Sequence, residues 1–263
     1  MKLTSYPIGI FDSGVGGTSI WKEIKALLPH ENTIYLSDSK NAPYGEKSKQ
    51  RIIDLSIKNA EFLLQQNCKL IIVACNTATT NAIKVLREKY DNPFIGIEPA
   101  IKTAALKTKT NNIGILATKG TLNSELFEKT ASTIAKEITT KETIGKGLVE
   151  LIENGKINSL EMKRLLSSYI KPMLEEQVDC LVLGCTHYPY LIPQIREIVG
   201  EKVQIIDSGE AVAKQTKAIL EKNKLLNNER KKGKHQFYIN NNKKVLEMLI
   251  SNNESIRIDE KDF

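Results

Sequence analysis

The stretch LIIVACNT at residues 70–77 and the stretch CLVLGCTH at residues 180–187 decide the fold that the sequence predicts. Each starts as a short apolar run, reaches a cysteine, and continues into a helical stretch. This pattern predicts a buried strand that ends at a cysteine and a helix that follows it. Cys75 and Cys185 lie 110 residues apart, so the same unit occurs twice in the chain.

A second pair of similar segments supports an internal repeat. The run IGIFDS at residues 8–13 resembles IGILAT at residues 113–118, with an offset of 105 residues. Short apolar runs predict strands at residues 6–12, 33–37, 70–75, 94–97, 113–118, 180–185, 203–207 and 236–239. Helical spacing of apolar residues is found in three sets: Ile53, Ile57, Ala60 and Leu64; Ala78, Ala82, Val85 and Leu86; and Ala211, Val212, Ala218 and Ile219.

Strands that alternate with helices predict an α/β fold with parallel sheets and helices on both faces. The repeat predicts two similar parallel-sheet domains related by pseudo-two-fold symmetry. We expect residues 1–97 plus 207–263 to form the first domain, because the tail should pack back on it, and residues 98–206 to form the second. Ligands bind at the carboxyl ends of strands in open parallel sheets, so both thiols should face one interdomain cleft.

Composition narrows the class of function. The chain has 263 residues and a formal net charge of +7 from dispersed lysines, a charge that attracts an anionic substrate. The densest basic segment, residues 230–234, contains no aromatic residue and predicts a solvated connection, not a nucleic-acid surface. No run approaches the ~18 apolar residues of a membrane helix, and no signal peptide is recognisable. We therefore expect a cytoplasmic protein without nucleic-acid or membrane partners.

Two opposed thiols can invert a stereocentre, because one removes a proton from one face and the other returns a proton to the opposite face. This reaction needs one thiolate and one thiol. The pKa of a free cysteine is about 8.5, and a helix N-terminus after each thiol should lower it. Cys68 and Cys180 lie at strand beginnings and are expected only to fill space. A zinc site made of Cys75, Cys185 and His187 is disfavoured, since it lacks paired ligand spacing and a fourth ligand.

The turn DSGVGG at residues 12–17 follows the first predicted strand. Glycine-rich turns there can bind phosphate, but this one lacks the lysine of a P-loop and does not fit G-x-G-x-x-G. The Asp12 carboxylate would repel a phosphate; it suits an ammonium group or accepts a released proton. The alternative is a tight turn for close packing, with Asp12 as a helix cap.

Four motifs together resemble the glutamate racemases of the aspartate/glutamate racemase family: IFDSGVGG at 10–17, APYG at 42–45, ACNTA at 74–78 and LGCTHYP at 183–189. The resemblance extends from residue 7 to about residue 237. It implies a substrate in the interdomain cleft, no pyridoxal phosphate and no metal. It also implies a homodimer that binds L- and D-glutamate and supplies D-glutamate for bacterial cell-wall peptidoglycan.

The resemblance also implies residue roles. Cys75 would deprotonate the D-enantiomer with help from Asp12, and Cys185 the L-enantiomer with help from His187. Glu150 would be a catalytic acid near that histidine. The substrate-binding residues would be Asp12, Ser13, Pro43, Tyr44, Gly45, Asn76, Thr77, Thr118, Thr121, Thr186 and His187. Two alternatives stay open: an aspartate racemase, and a non-catalytic amino-acid-binding protein, against which both cysteines argue.

Overall fold

The computed structural model describes residues 3–135, 137–250 and 254–263. The strands are β1 (Ile8–Asp12), β2 (Thr33–Ser37), β3 (Leu70–Val73), β4 (Phe94–Gly96), β5 (Asn112–Ala117), β6 (Thr139–Ile144), β7 (Cys180–Gly184), β8 (Gln204–Ile206), β9 (His235–Ile239) and β10 (Ile256–Glu260). The helices are α1 (Thr18–Leu27), α2 (Lys49–Gln65), α3 (Asn76–Lys89), α4 (Ile101–Lys107), α5 (Lys119–Leu122), α6 (Glu125–Ser132), α7 (Leu148–Glu153), α8 (Leu160–Glu175), α9 (Ile192–Val199), α10 (Gly209–Lys222) and α11 (Lys243–Leu249).

The strands form two parallel sheets, which confirms the predicted pair of parallel-sheet α/β domains. One has the order β10-β9-β2-β1-β3-β4, and the other has the order β6-β5-β7-β8. The order β2-β1-β3-β4 thus recurs in the second sheet. The tail adds β9 and β10 beside β2, while the domain boundaries stay a prediction. In these ranges no helix is long and apolar enough to cross a membrane.

The internal repeat also holds at the level of strand register. Ile8 pairs with Leu70 in the first sheet, and Ile113 pairs with Cys180 in the second. These pairs carry the sequence offsets of 105 and 110 residues. A glycine follows the first residue of each pair and lets a helix pack closely on the sheet. An added Cβ atom would lie 3.1 Å from Leu63 of α2 at Gly9, and 2.8 Å from the Met173 sulfur of α8 at Gly114.

Several local expectations need correction. β6 and β10 were not predicted, because both are half-exposed edge strands with few apolar residues. The buried face of α2 is Ile52, Leu55, Ser56, Asn59, Ala60 and Leu63, so the predicted stripe is displaced by about one residue. In α10 the residues Ala211 and Ala218 are exposed. No helix directly follows Cys185: a turn leads to a 3₁₀ segment at Tyr188–Leu191 and then to α9.

A buried ion pair lies at the amino-terminal ends of the strands in the first sheet. Lys69 Nζ lies 2.5 Å from Glu31 Oε2, and the two side chains are 0% and 2% exposed. The ammonium group also donates to the carbonyl oxygens of Thr4 and Leu225, while Glu31 Oε1 accepts the N–H of Asn227 at 2.8 Å. Burial lowers the pKa of Lys69, although Glu31 opposes that shift. The pair therefore ties β3 to the segment between α10 and β9.

Replacing Lys69 with methionine should lower the free energy of unfolding by about 3–5 kcal/mol, because the Glu31 carboxylate would stay buried without its cation. Urea denaturation measures the change. The matched control is Lys89→Met, since its pair with Glu61 is about half exposed and should contribute no more than ~1 kcal/mol. The double variant Lys69→Met, Glu31→Gln should recover part of the loss. Equal losses in the two lysine variants would contradict this account.

Candidate active site

A small pocket lies where the carboxyl ends of the two sheets meet. Its cavity volume is about 10 Å³, far below the about 300–1,000 Å³ of pockets for drug-sized ligands. Its lining is Ser13, Pro43, Tyr44, Gly45, Cys75, Asn76, Thr77, Thr118, Val149, Cys185, Thr186 and His187. All but Val149 were predicted site residues. A more open depression of about 510 Å³ shares Gly45 but has no cysteine or histidine in its lining, so the acid–base chemistry belongs to the smaller pocket.

Cys75 lies at the start of α3 and caps that helix. Its sulfur accepts the N–H of Ala78 at 3.4 Å and donates to Ser13 Oγ at 3.6 Å. Burial raises the pKa of the Cys75 thiol well above its usual value, and the nearby Asp12 carboxylate adds to the shift. The helix N–H of Ala78 lowers this pKa, as expected, but the expected net lowering is wrong because desolvation outweighs that contribution. Cys75 is therefore a protonated thiol in this pocket.

Asp12 is the last residue of β1 and is wholly buried. Its Oδ2 atom accepts the N–H groups of Gly14 at 3.2 Å and Gly17 at 3.0 Å, and its Oδ1 atom accepts the hydroxyl of Thr186 at 3.3 Å. Burial raises the pKa of Asp12 to about 6, against the lowering effect of His187 and the two glycine N–H groups. A carboxyl group with this pKa exchanges a proton near neutral pH. Asp12 itself does not line the pocket.

The His187 ring joins Cys185 to a carboxylate. Its Nδ1 atom lies 3.7 Å from the Cys185 sulfur, and its Nε2 atom lies 2.6 Å from Glu153 Oε1. The N–H of Gly16 also points at Nε2, at 3.2 Å, but the short contact with a charged acceptor is the stronger one. Burial lowers the pKa of His187, yet the bonds to Cys185 and Glu153 outweigh it and raise that pKa well above its usual value. A protonated imidazole at this position can donate a hydrogen bond to the Cys185 sulfur.

The acid in contact with His187 is Glu153, and the expectation that Glu150 would lie there is corrected. Both residues belong to α7, three positions apart, so the sequence pattern alone did not distinguish them. Glu153 Oε1 also accepts the N–H of Val15 at 2.7 Å. Within the described residues no hydrogen bond joins Glu150 to His187. Glu150 instead lines a neighbouring pocket that also contains Glu153, and its catalytic role stays a prediction.

The glycine-rich turn makes room for the acid–base residues. A Cβ atom at each of three glycines would collide with a different side chain: Gly14 with Glu153 Oε1 at 1.9 Å, Gly16 with His187 Nδ1 at 2.2 Å, and Gly17 with the Asp12 Cβ atom at 2.7 Å. The close-packing interpretation of this turn therefore holds. The turn brings residues of the second domain, His187 and Glu153, onto the end of β1.

The other predicted residues include three threonines and Asn76. Three threonine hydroxyls form a triangle in which Thr77 lies 2.8 Å from Thr118 and 3.2 Å from Thr121, and Thr118 lies 3.0 Å from Thr121. Thr121 is fully buried behind the pocket. The amide of Asn76 lines the pocket, and neither its oxygen nor its nitrogen has a hydrogen-bond partner among the described residues. Asn76 is thus available to a polar ligand.

Tyr44 lines the pocket with its ring but not with a free hydroxyl. That hydroxyl donates to Asp38 Oδ2 at 2.6 Å and accepts the Asn59 amide at 3.1 Å. Pro43 and Gly45 complete this wall. As for metals, the described residues contain no group of three or more His, Cys, Asp or Glu side chains that could hold an ion.

Comparison with known proteins places these observations in a family. A profile described as Asp/Glu/Hydantoin racemase matches residues 16–216. The chain is 47% identical to the glutamate racemase of Ralstonia pickettii over 79% of its own length and 74% of that protein. The crystal structure of glutamate racemase isoform RacE1 from Bacillus anthracis matches with a TM-score of 0.88 and 31% identity, covering 98% of both chains.

A second solved structure is glutamate racemase from Francisella tularensis in complex with D-glutamate. It matches with a TM-score of 0.85 and 30% identity, and covers 98% of both chains. The family profile spans well over half of the present chain. The Ralstonia pickettii relative, at 47% identity over 79% of the chain, is similar enough to show membership of the family. The protein therefore belongs to the Asp/Glu/Hydantoin racemase family, whose members are isomerases.

Proposed function

We propose that this protein interconverts L- and D-glutamate by proton transfer between two thiols, without a cofactor. The observation that carries the proposal is that Cys75 and Cys185 line one small pocket. His187 contacts Cys185, and the Asp12 carboxylate is near enough to Cys75 to raise the pKa of its thiol. The names of the relatives favour glutamate as the substrate, and the Francisella tularensis structure contains D-glutamate. The substrate would bind in the cleft between the two domains.

The proton transfers follow from the two environments. With L-glutamate, the Cys185 thiolate, stabilised by protonated His187, removes the proton from Cα, and the Cys75 thiol delivers a proton to the opposite face. The Cα–H bond on one face breaks and a new Cα–H bond forms on the other, so the configuration is inverted. In the reverse direction Cys75 must first lose its proton and Cys185 must gain one. Asp12 would accept the proton from Cys75, because its pKa of about 6 leaves it ionised at neutral pH, and protonated His187 would donate the proton to Cys185.

Substrate recognition would use the polar groups that the pocket leaves available. A buried amide without partners is unfavourable, and the Asn76 side chain can satisfy a carboxylate of glutamate. The hydroxyls of Ser13, Thr77, Thr118 and Thr186 lie around the same space. Burial strengthens each of these bonds, because water does not compete for them.

Two alternative functions have less support. An aspartate racemase would use the same pair of thiols, but the relatives named above are glutamate racemases. A non-catalytic amino-acid-binding protein has no need of two buried thiols with separate proton-accepting groups. The acid–base pairs Cys75 with Asp12 and Cys185 with His187 therefore favour an enzyme.

The cellular setting is part of the proposal. All four cysteines are unpaired and buried, and unpaired cysteines are typical of the reducing cytoplasm. We propose that the protein works there as a homodimer and supplies D-glutamate for peptidoglycan, and thus for cell-wall formation and cell shape.

The purified protein should racemise L-glutamate after dialysis against a chelator and without added pyridoxal phosphate. Circular dichroism of the amino acid, followed to zero signal, measures the reaction directly. A parallel assay with L-aspartate tests the first alternative. Faster racemisation of aspartate would identify an aspartate racemase, no reaction with either would support a binding protein, and activity restored only by zinc or pyridoxal phosphate would contradict the cofactor-free mechanism.

Each single-cysteine variant should lose racemisation but keep one half of the chemistry. In 3-chloroglutamate, removal of the α-proton expels chloride from the β-carbon, and the product hydrolyses to 2-oxoglutarate and ammonia. Cys75→Ala should therefore eliminate from the L-form and Cys185→Ala from the D-form, with ammonia release as the measurement. Near-parental racemisation of glutamate by either variant would exclude two-thiol proton transfer.

Gly16→Ala should displace His187, because the new methyl group would overlap the ring. A misplacement of about 1 Å can lower the rate on the order of 100-fold, and we expect a fall of that size in kcat. The control is Gly200→Ala: a Cβ atom there has no neighbour within 4 Å, although φ is +64°. That variant should lose some stability and keep its kcat. Equal activity in the two variants would show that the turn does not position His187.

A further inference from the structure

We infer that Ser39 is a positioning residue for the proton transfer at Cys185, and that it acts through Glu153 and His187. The inference rests on the proposed function. Ser39 did not emerge from the sequence, and it lies outside the pocket that holds the two thiols. Its side chain instead contacts the carboxylate that holds the histidine.

Ser39 begins a short 3₁₀ segment, Ser39–Asn41, directly after β2. Its hydroxyl donates to Glu153 Oε2 at 2.7 Å, which links the first domain to the second. The same hydroxyl lies 3.0 Å from Ser37 Oγ, at the end of β2. Ser39 is 7% exposed. The hydroxyl is therefore held in place by a buried strand end, and it holds the carboxylate in turn.

The Glu153 carboxylate has a donor on each oxygen. Oε1 faces His187 at 2.6 Å and the N–H of Val15 at 2.7 Å, whereas Oε2 faces only Ser39 among the described residues. Without that hydroxyl the carboxylate can rotate about its last bond, and Oε1 then moves away from the imidazole. A less well-held His187 stabilises the Cys185 thiolate less well. Ser39 thereby sets the geometry of a proton transfer at Cys185, three residues further along the hydrogen-bond chain.

The effect of Ser39 should be confined to one face of the substrate. Its hydrogen-bond chain runs through Glu153 and His187 to Cys185, and Cys75 instead contacts Ser13. Enantiomers have equal free energies, so kcat/KM must change equally in both directions and cannot reveal the face. Primary isotope effects can, because the Cα–H bond of L-glutamate is broken by Cys185 and that of D-glutamate by Cys75.

The experiment uses Ser39→Ala and glutamate that carries deuterium at Cα. A pocket that contains both Ser39 and Glu153 adjoins the carboxylate, so water can replace part of the lost bond, and kcat/KM should fall on the order of 10-fold. The isotope effect on kcat/KM should rise with deuterated L-glutamate and fall with deuterated D-glutamate, because the Cys185 step becomes rate-limiting. Ser39→Thr keeps the hydroxyl and should restore the parental ratio.

Two further variants make the result decisive. Ser13→Ala weakens the environment of Cys75 and should change the ratio of isotope effects in the opposite sense. Ser48→Ala removes an exposed helix cap and should leave the ratio unchanged. A Ser39→Ala enzyme that is slower with an unchanged ratio would show a general structural role, and one with parental rates would show no role; both overturn the inference. Absence of racemisation in the parent protein would instead refute the proposed function.

Discussion

The contact between Glu153 and His187, at 2.6 Å, is the interaction on which the rest of the site depends. It lies against a turn whose glycines have no room for a Cβ atom, so the end of β1 and the second domain must meet there. The same turn directs two N–H groups at Asp12. One six-residue segment thus fixes the acid–base groups of both thiols, and this explains why glycine is needed beside each of them.

The repeat places the thiols symmetrically but does not repeat their partners. With the offset of 110 residues, Cys75 corresponds to Cys185 and Thr77 to His187; with the offset of 105, Asp12 corresponds to Ala117. Each domain therefore contributes one thiol at the same strand end and only one of the two proton-accepting side chains. Under the proposed racemisation, two thiols at corresponding positions would serve the two opposite faces of the substrate. The different side chains beside them would give each direction of the reaction its own acid–base partner.

Sequence patterns predicted the strands that end at the pocket, because buried parallel strands are continuous apolar runs. They also singled out Cys75, Cys185, Asp12 and His187 at the strand ends, and the catalytic roles of these residues stay predictions. The patterns missed the edge strands β6 and β10. These polar segments are strands because each pairs with a neighbouring strand, and their own residues do not show it. The family resemblance placed the acid near His187 at Glu150, whereas tertiary packing brings Glu153, on the same short helix, into contact with that histidine. The raised pKa of Cys75 depends on burial by both domains, which no local pattern contains.

That burial has a mechanistic consequence. Desolvation of Cys75 favours its protonated thiol, while the imidazole of His187 lies 3.7 Å from the Cys185 sulfur. The two thiols therefore lie in different electrostatic surroundings, although the repeat gives them corresponding positions. The unpartnered Asn76 amide is unfavourable in the same desolvated space until a polar ligand occupies it. Closure of the pocket around glutamate would then satisfy the amide and keep water from equalising the two thiols, so one physical condition serves both binding and chemistry.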